Sequence, residues 1–186
     1  MSGELPVRLA LPGRTLLLVA GMPGAGKSTL LADLPESTDV VAVDSETYRA
    51  PFRRALPSSV PYTAYRPVVH LVHRLAVVRA ALSRTPTVVV HLPATDPSTR
   101  AAVARLAAIA GRAAHLLWVH AEPADALAGQ RHRGRLVPSG SFAGHARRAA
   151  RAERRLRQER AWGFREVTVV DRAAARAGLV LDRAAG

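Results

Sequence analysis

The stretch TLLLVAGMPGAGKSTLLADL, Thr15 to Leu34, constrains this chain more than any other. The apolar, β-branched-ended run Thr15 to Ala20 reads as a strand buried on both faces. GMPGAGKS, Gly21 to Ser28, fits the spacing G-x-x-x-x-G-K-S, and KSTLLADL, Lys27 to Leu34, reads as a helix stopped by Pro35. Strand, glycine loop and helix start together predict a phosphate site. Glycine backbone can turn successive N–H groups toward one anion, and a helix start adds its own unpaired N–H groups. Lys27 is the single lysine of the chain, the other 26 of its 27 basic residues being arginine. A compact ammonium on a flexible stem reaches β- and γ-phosphates where a planar guanidinium fork does not fit the cradle. Lys27 is expected in a solvent-facing loop, and Ser28 offers a hydroxyl to Mg2+. Nucleotide contacts are therefore expected from Gly21, Met22, Pro23, Gly24, Ala25, Gly26, Lys27, Ser28 and Thr29, with ATP and Mg2+ as cofactors.

Four further apolar runs, DVVAVD, TVVVHL, HLLWVHA and EVTVVD, alternate with helix-like stretches. That pattern predicts an α/β fold, a five-stranded, mainly parallel sheet sandwiched by helices. One helix is expected over Pro67 to Arg84, with Pro67 near its first position. Another has Asp96 as N-cap, Pro97 next and Gly111 as its stop. A length of 186 residues suits one domain, 1–186, with a small lid. With 48% hydrophobic but 4% aromatic residues, the core must be aliphatic. The absence of cysteine excludes disulfides, a thiolate nucleophile and cysteine metal sites. No apolar run is long enough to cross a bilayer and no signal pattern opens the chain, so a cytoplasmic protein is expected. The net charge of +13 is compatible with acidic partners or with an arginine- and alanine-rich compositional bias.

VDSETYR places Asp44, Glu46 and Arg49 just beyond the carboxyl end of a strand, where ligands sit in open α/β sheets. Either acid can take the proton of an attacking hydroxyl, and Asp44 can also join Ser28 at the metal. Asp44 or Ser45 equally suits the N-cap of a helix carrying Tyr48, Phe52 and Leu56. VPYTAYRPVVHLVHR gathers Tyr62, Tyr65, Arg66, His70 and His73, a composition that fits either an acceptor pocket or packing on the sheet. VVVHLPATDPSTR has no acid before Asp96, which argues against a motor-type ATPase; His91, at the strand end, either faces the site or, the favoured reading, is a hydrogen-bonded structural residue. GQRHRGRLVPSGSF sets Arg131, Arg133 and Arg135 at every second position, followed by Gly134, Pro138 and Gly140 as hinges. HARRAARAERRLRQERA, His145 to Ala161, reads as a solvated helix with Glu153 and Glu159 partly pairing its arginines, or as a nucleic-acid strip.

Three features together resemble the P-loop kinases of the polynucleotide-kinase, zeta-toxin and chloramphenicol-phosphotransferase type. These are GMPGAGKST, a strand ending in D-S-E-T-Y-R, and an arginine-rich segment after a fourth strand; they extend over about Thr15 to Asp171. The resemblance implies a single P-loop NTPase domain with an arginine-rich lid at about 131–160. In polynucleotide kinases and zeta toxins the catalytic acid falls at Glu46 and a basic residue at Arg49. In chloramphenicol phosphotransferases the acid of a VDS triplet, here Asp44, is the base. Asp44 is slightly favoured, because a strand-terminal side chain is more rigidly placed. Lids of these kinases bring arginines to the transferring group, the roles implied for Arg131 and Arg135, with Arg133 at the nucleotide. Arg100 resembles the arginine after the third strand of polynucleotide kinases and joins Arg49, Tyr62, Tyr65 and Arg66 as expected acceptor contacts. The implied activity moves the γ-phosphate of ATP to a hydroxyl of a small molecule or a nucleic-acid 5′ end, nucleic acid being the less favoured partner. The rival readings are a nucleotide-binding switch with a protein partner and a nucleic-acid-binding regulator without kinase activity.

Overall fold

The computed structural model describes residues 5–34, 37–57, 59–132, 139–158 and 163–184. Its strands are β1 (Val7–Leu11), β2 (Thr15–Ala20), β3 (Val40–Asp44), β4 (Thr87–His91), β5 (Ala113–Val119), β6 (Glu166–Val170) and β7 (Leu179–Arg183). Its helices are α1 (Lys27–Leu30), α2 (Ser45–Ala55), α3 (Tyr62–Leu82), α4 (Pro97–Ile109), α5 (Pro123–His132), α6 (Ser139–Gln158) and α7 (Arg172–Arg176). Strands β3-β4-β2-β5-β6 form one all-parallel sheet of five, as the alternation of apolar runs and helices predicts.

Central β2 is buried along its whole length, with Leu16, Leu17, Leu18 and Val19 fully enclosed. Helices cover both faces of a parallel sheet, so its strands need continuous aliphatic sequence. Strand order reverses at β2, with β4 on one side and β5 on the other. The crevice outside the carboxyl end of β2 is therefore the place where this fold opens a binding site. Gly21 to Gly26 occupy it.

A second, two-stranded parallel sheet joins β1 to β7, which the apolar runs do not predict. VRLAL and LVLDR are half-exposed and carry charges, so neither reads as a core strand. They hold each other partly through Arg8 and Asp182, 3.2 Å apart.

Several boundaries move for identifiable reasons. Helix α1 has a single α-turn and continues to Leu34 through tighter turns such as Leu34 N–H to Leu31 O (3.3 Å). Pro35 disfavours helical backbone at the residue before it, so the last turns tighten. Helix α3 starts at Tyr62, with Pro67 inside it. Its first turns are held onto α2 by rings: Tyr65 stacks on Phe52 (6.1 Å) and Arg49 lies over Tyr62 (4.2 Å). Helix α6 starts earlier than His145 and is not simply solvated. It buries Ala149 and Ala152, and Glu153 turns inward to accept from Trp118 Nε1 (2.8 Å) and meet His120 Nδ1 (2.9 Å). Glu159 lies outside the described residues.

At the amino end of the sheet, buried Arg112 ties four segments together. Its guanidinium donates to Ala81 O (2.5 Å), Pro86 O (2.9 Å), Ser83 O (2.8 Å) and, at longer range, Thr15 O (3.4 Å).

Candidate active site

The glycine loop adopts the conformation that its composition permits. Gly21, Gly24 and Gly26 have φ of 138°, 91° and 110°, in the region where an L side chain is strained. Gly24 is also a contact point, since a Cβ there would fall on the carbonyl oxygen of Ala126 in α5. The reciprocal approach is as tight: a Cβ on Gly129 would sit 2.7 Å from Gly24 O. Gln130 Nε2 donates to Pro23 O (2.9 Å), and Arg172 of α7 reaches Asp125 O. The loop is thus seated on α5 from beneath, a support with no local signature in the sequence.

Lys27 is 5% exposed, against the expectation of a solvent-facing side chain. Its Nζ donates to Gly21 O and Met22 O, both at 2.9 Å. An ammonium has three donors and no acceptor, and the loop's own carbonyls satisfy it inside the turn. Ser28 and Thr29 are exposed at the start of α1. A lysine held within a glycine turn, with a hydroxyl at the adjoining helix start, is a donor set that fits a polyphosphate and its metal. Among the described residues no cluster of three or more His, Asp or Glu forms a separate metal site.

Asp44 ends β3 and takes the N-cap position open to it. It caps α2, accepting from Glu46 N–H (3.1 Å), and its other oxygen lies 2.9 Å from His91 Nδ1 at the end of β4. The two residues are register partners, and His91 is in turn the register partner of Val19 beside the loop. The His91 contact is close but lies off the line of an N–H donor, so it is electrostatic more than a linear hydrogen bond. Burial opposes ionisation of Asp44, but His91 and the Glu46 amide outweigh it and hold the carboxyl below the usual carboxylate range. Glu46 is half-buried, with Arg49 at 3.9 Å.

Of the expected acceptor contacts, three are brought together and two take other partners. Arg49, Tyr62 and Tyr65 pack together in the ring cluster between α2 and α3, Tyr62 and Tyr65 meeting edge-to-face at 5.3 Å. Arg66 is exposed and donates to His70 Nε2 (3.1 Å). Arg100 is buried; it donates to Ala94 O (2.7 Å) and Thr95 O (3.1 Å) and lies over Trp118. Its guanidinium clamps the loop after β4, where Ala94 holds a strained φ of 42°. Arg131 is exposed near the end of α5, while Arg133 and Arg135 lie outside the described residues.

A cleft of about 670 Å³ instead opens between α3 and α4, beside the loop that follows His91. His70, His73 and Arg74 line it from α3, Thr95 and Asp96 from that loop, and His145 from α6. His145 Nδ1 is 3.2 Å from Thr95 Oγ1. Burial, then Arg148 and Lys27, push the His145 pKa down, so this ring lies within electrostatic reach of the phosphate-loop lysine. Neither Thr95 nor His145 is marked by any spacing in the sequence; distant segments bring them together.

Fold and glycine loop together define an α/β domain of the P-loop type, with the loop between a central parallel strand and a helix start. A family profile described as an AAA domain matches residues 16–158, and the chain belongs to that family. Two solved structures share the fold. One comes from the PezAT chromosomal toxin–antitoxin system of Streptococcus pneumoniae: TM-score 0.62, 14% identity, covering 90% of this chain and 70% of that chain. The other is a gluconokinase from Sinorhizobium meliloti: TM-score 0.51, 19% identity, covering 91% and 93% respectively. No curated protein matches the sequence. Among the described residues no helix is long and apolar enough to cross a membrane.

Proposed function

We propose that the protein is an ATP- and Mg2+-dependent phosphotransferase that moves the γ-phosphate to an acceptor hydroxyl. The observation that carries this reading is Asp44, held ionised beside His91 at the same sheet end as the phosphate loop. In the reaction the acceptor oxygen bonds to the γ-phosphorus, its proton passes to Asp44, and the bond to the β–γ bridging oxygen breaks to release ADP. Lys27 leaves the Gly21 and Met22 carbonyls to neutralise the phosphates, and His91 steadies the Asp44 carboxylate. Ser28, with help from Asp44, would hold Mg2+, which would supply charge neutralisation to the phosphates when bound. We assign Glu46 the second claim to the base. We assign Arg131, Arg133 and Arg135 to the transferring phosphate, within a single domain of 1–186 that works in the cytoplasm, where ATP and Mg2+ are supplied.

The test is a γ-phosphate transfer screen against pooled small-molecule hydroxyls and 5′-hydroxyl oligonucleotides, with product masses read out. Asp44→Asn is expected to lower turnover about 10²–10⁴-fold with ATP affinity little changed. Wild-type turnover in both Asp44→Asn and Glu46→Gln would remove the base. ATP binding with no transfer to any acceptor would select the nucleotide-switch reading instead.

A further inference from the structure

We propose that the cleft between α3 and α4 holds the phosphoryl acceptor, and that this acceptor is an uncharged, hydroxyl-bearing molecule with an aliphatic body rather than a polynucleotide. The proposal rests on the phosphotransferase reading and names the substrate class for it.

Position comes first. The wall Leu92 to Asp96 begins one residue after His91, which touches Asp44, and His145 in the same wall senses Lys27. A hydroxyl at this end of the cleft is therefore next to both the base and the phosphate loop. The phosphate leaves ATP, bonds to the acceptor oxygen, and the hydroxyl proton goes to Asp44, so the acceptor leaves as a phosphate ester and ADP remains.

The walls then define the class. Away from the catalytic end, the lining is Val77, Val78, Ala102, Val103 and Leu106. Beside the loop it turns polar, with Thr95, Ser98, Thr99 and His145 able to position hydroxyls. In a chain of net charge +13, the only charged residues lining this cleft among the described residues are Arg74 and Asp96, which offset each other. His70, His73 and His145 add no charge at neutral pH, because burial pushes all three below the ordinary histidine value. A polynucleotide needs a row of cations to follow its phosphates. An aliphatic cleft with polar groups gathered at one end, and a volume within the range of small-molecule sites, suits a neutral amphiphile.

Two readouts test this. The first is transfer of γ-phosphate to octyl β-D-glucoside below its micelle concentration, compared with glucose and a 5′-hydroxyl oligonucleotide. The second, independent of transfer, is saturable Nile red fluorescence and its displacement by octyl glucoside, in wild type and in Val78→Glu and Ala102→Leu. Val78 is on the exposed rim, so a charge there is compatible with folding, and Ala102→Leu fills the cleft without adding charge. The expected result is transfer to octyl glucoside at least about tenfold more efficient than to the other two. Both substitutions should weaken dye and glucoside binding by a similar factor with ATP affinity unchanged, a tenfold loss being about 1.4 kcal/mol. Binding insensitive to both substitutions, or preferred transfer to glucose or the oligonucleotide, overturns the proposal. Cleft-specific binding with no transfer to any of the three would overturn the phosphotransferase reading while supporting the cleft as a site for a neutral amphiphile.

Discussion

Replacing Gly24 and Gly26 by alanine, one at a time, separates two reasons for a glycine in the phosphate loop. Both have positive φ, 91° and 110°, and an alanine at either costs roughly 1–2 kcal/mol in backbone strain. Their surroundings differ. A methyl on Gly26 would meet Ala175 Cβ at 3.7 Å and Arg172 Cγ at 3.8 Å, ordinary contact distances. A methyl on Gly24 would land on the backbone carbonyl of Ala126, which cannot swing aside as a side chain can. The loop would have to lift from α5 and loosen the Gln130 bond to Pro23 O. Forced overlap in packed regions adds about 1–3 kcal/mol. Gly24→Ala is therefore expected to lose about 2–5 kcal/mol in total, and Gly26→Ala about 1–2 kcal/mol. At about 2–4 °C per kcal/mol for a chain of this size, the two variants should differ in Tm by about 2–12 °C. Thermal unfolding followed by circular dichroism gives the stability difference, and titration calorimetry gives the ATP affinity, which should fall in both. Equal losses of stability, or a larger loss in Gly26→Ala, would refute the seating of the loop on α5.

Removing His91 takes away what holds the Asp44 pKa down; His91→Ala should lower kcat and move the acid limb of its pH profile upward, and an unmoved limb would separate the two residues. Buried His73 and His115 have folded-state pKa values pushed below 6.5 by burial, so the unfolded chain binds more protons in that window. Their contribution is full above about pH 6.5 and declines as pH falls toward the folded values, which urea unfolding at pH 7.5, 6 and 5 will measure. Asp44 contributes nothing to that slope, because its folded pKa lies below 3.8 and its share is lost only at still lower pH. Arg112→Ala should cost about 2–4 kcal/mol by stranding several carbonyls at once, and Arg112→Lys should recover only part of it, as read by denaturant midpoints.

Features written in contiguous residues were legible from the sequence, and features assembled from distant ones were not. The phosphate loop is eight adjacent residues whose glycines demand positive φ, and β2 is apolar throughout because both its faces are covered. Strands β1 and β7 escaped notice because each is half-exposed and its partner lies at the other end of the chain. The burial of Lys27 depends on carbonyl directions that only the folded turn sets. Arg49, Tyr62 and Tyr65 have the composition of a binding pocket, and their ring and cation packing across α2 and α3 is set by the fold and not by spacing. Arg100 resembles an anion-binding residue, but its guanidinium turns inward to two carbonyls. The cleft takes residues from α3, α4, α6 and the loop after β4, and no single segment shows it.

The knot at Arg112 gives α3 a mechanical character. Its guanidinium grips the Ala81 and Ser83 carbonyls at the carboxyl end of the helix and fastens them to Pro86 and Thr15 at the roots of two strands. The opposite end is held by ring contacts at Tyr62 and Tyr65, which can slide without breaking a hydrogen bond. The helix is thus a lever with its fulcrum at the far end from the chemistry. At 1.5 Å per residue the 21 residues of α3 span about 30 Å, so a tilt of about 5° moves its free end by roughly 2.5 Å. Such a tilt would reach His73, the α3 side chain whose charge is felt by Asp44, at a little under half that amplitude.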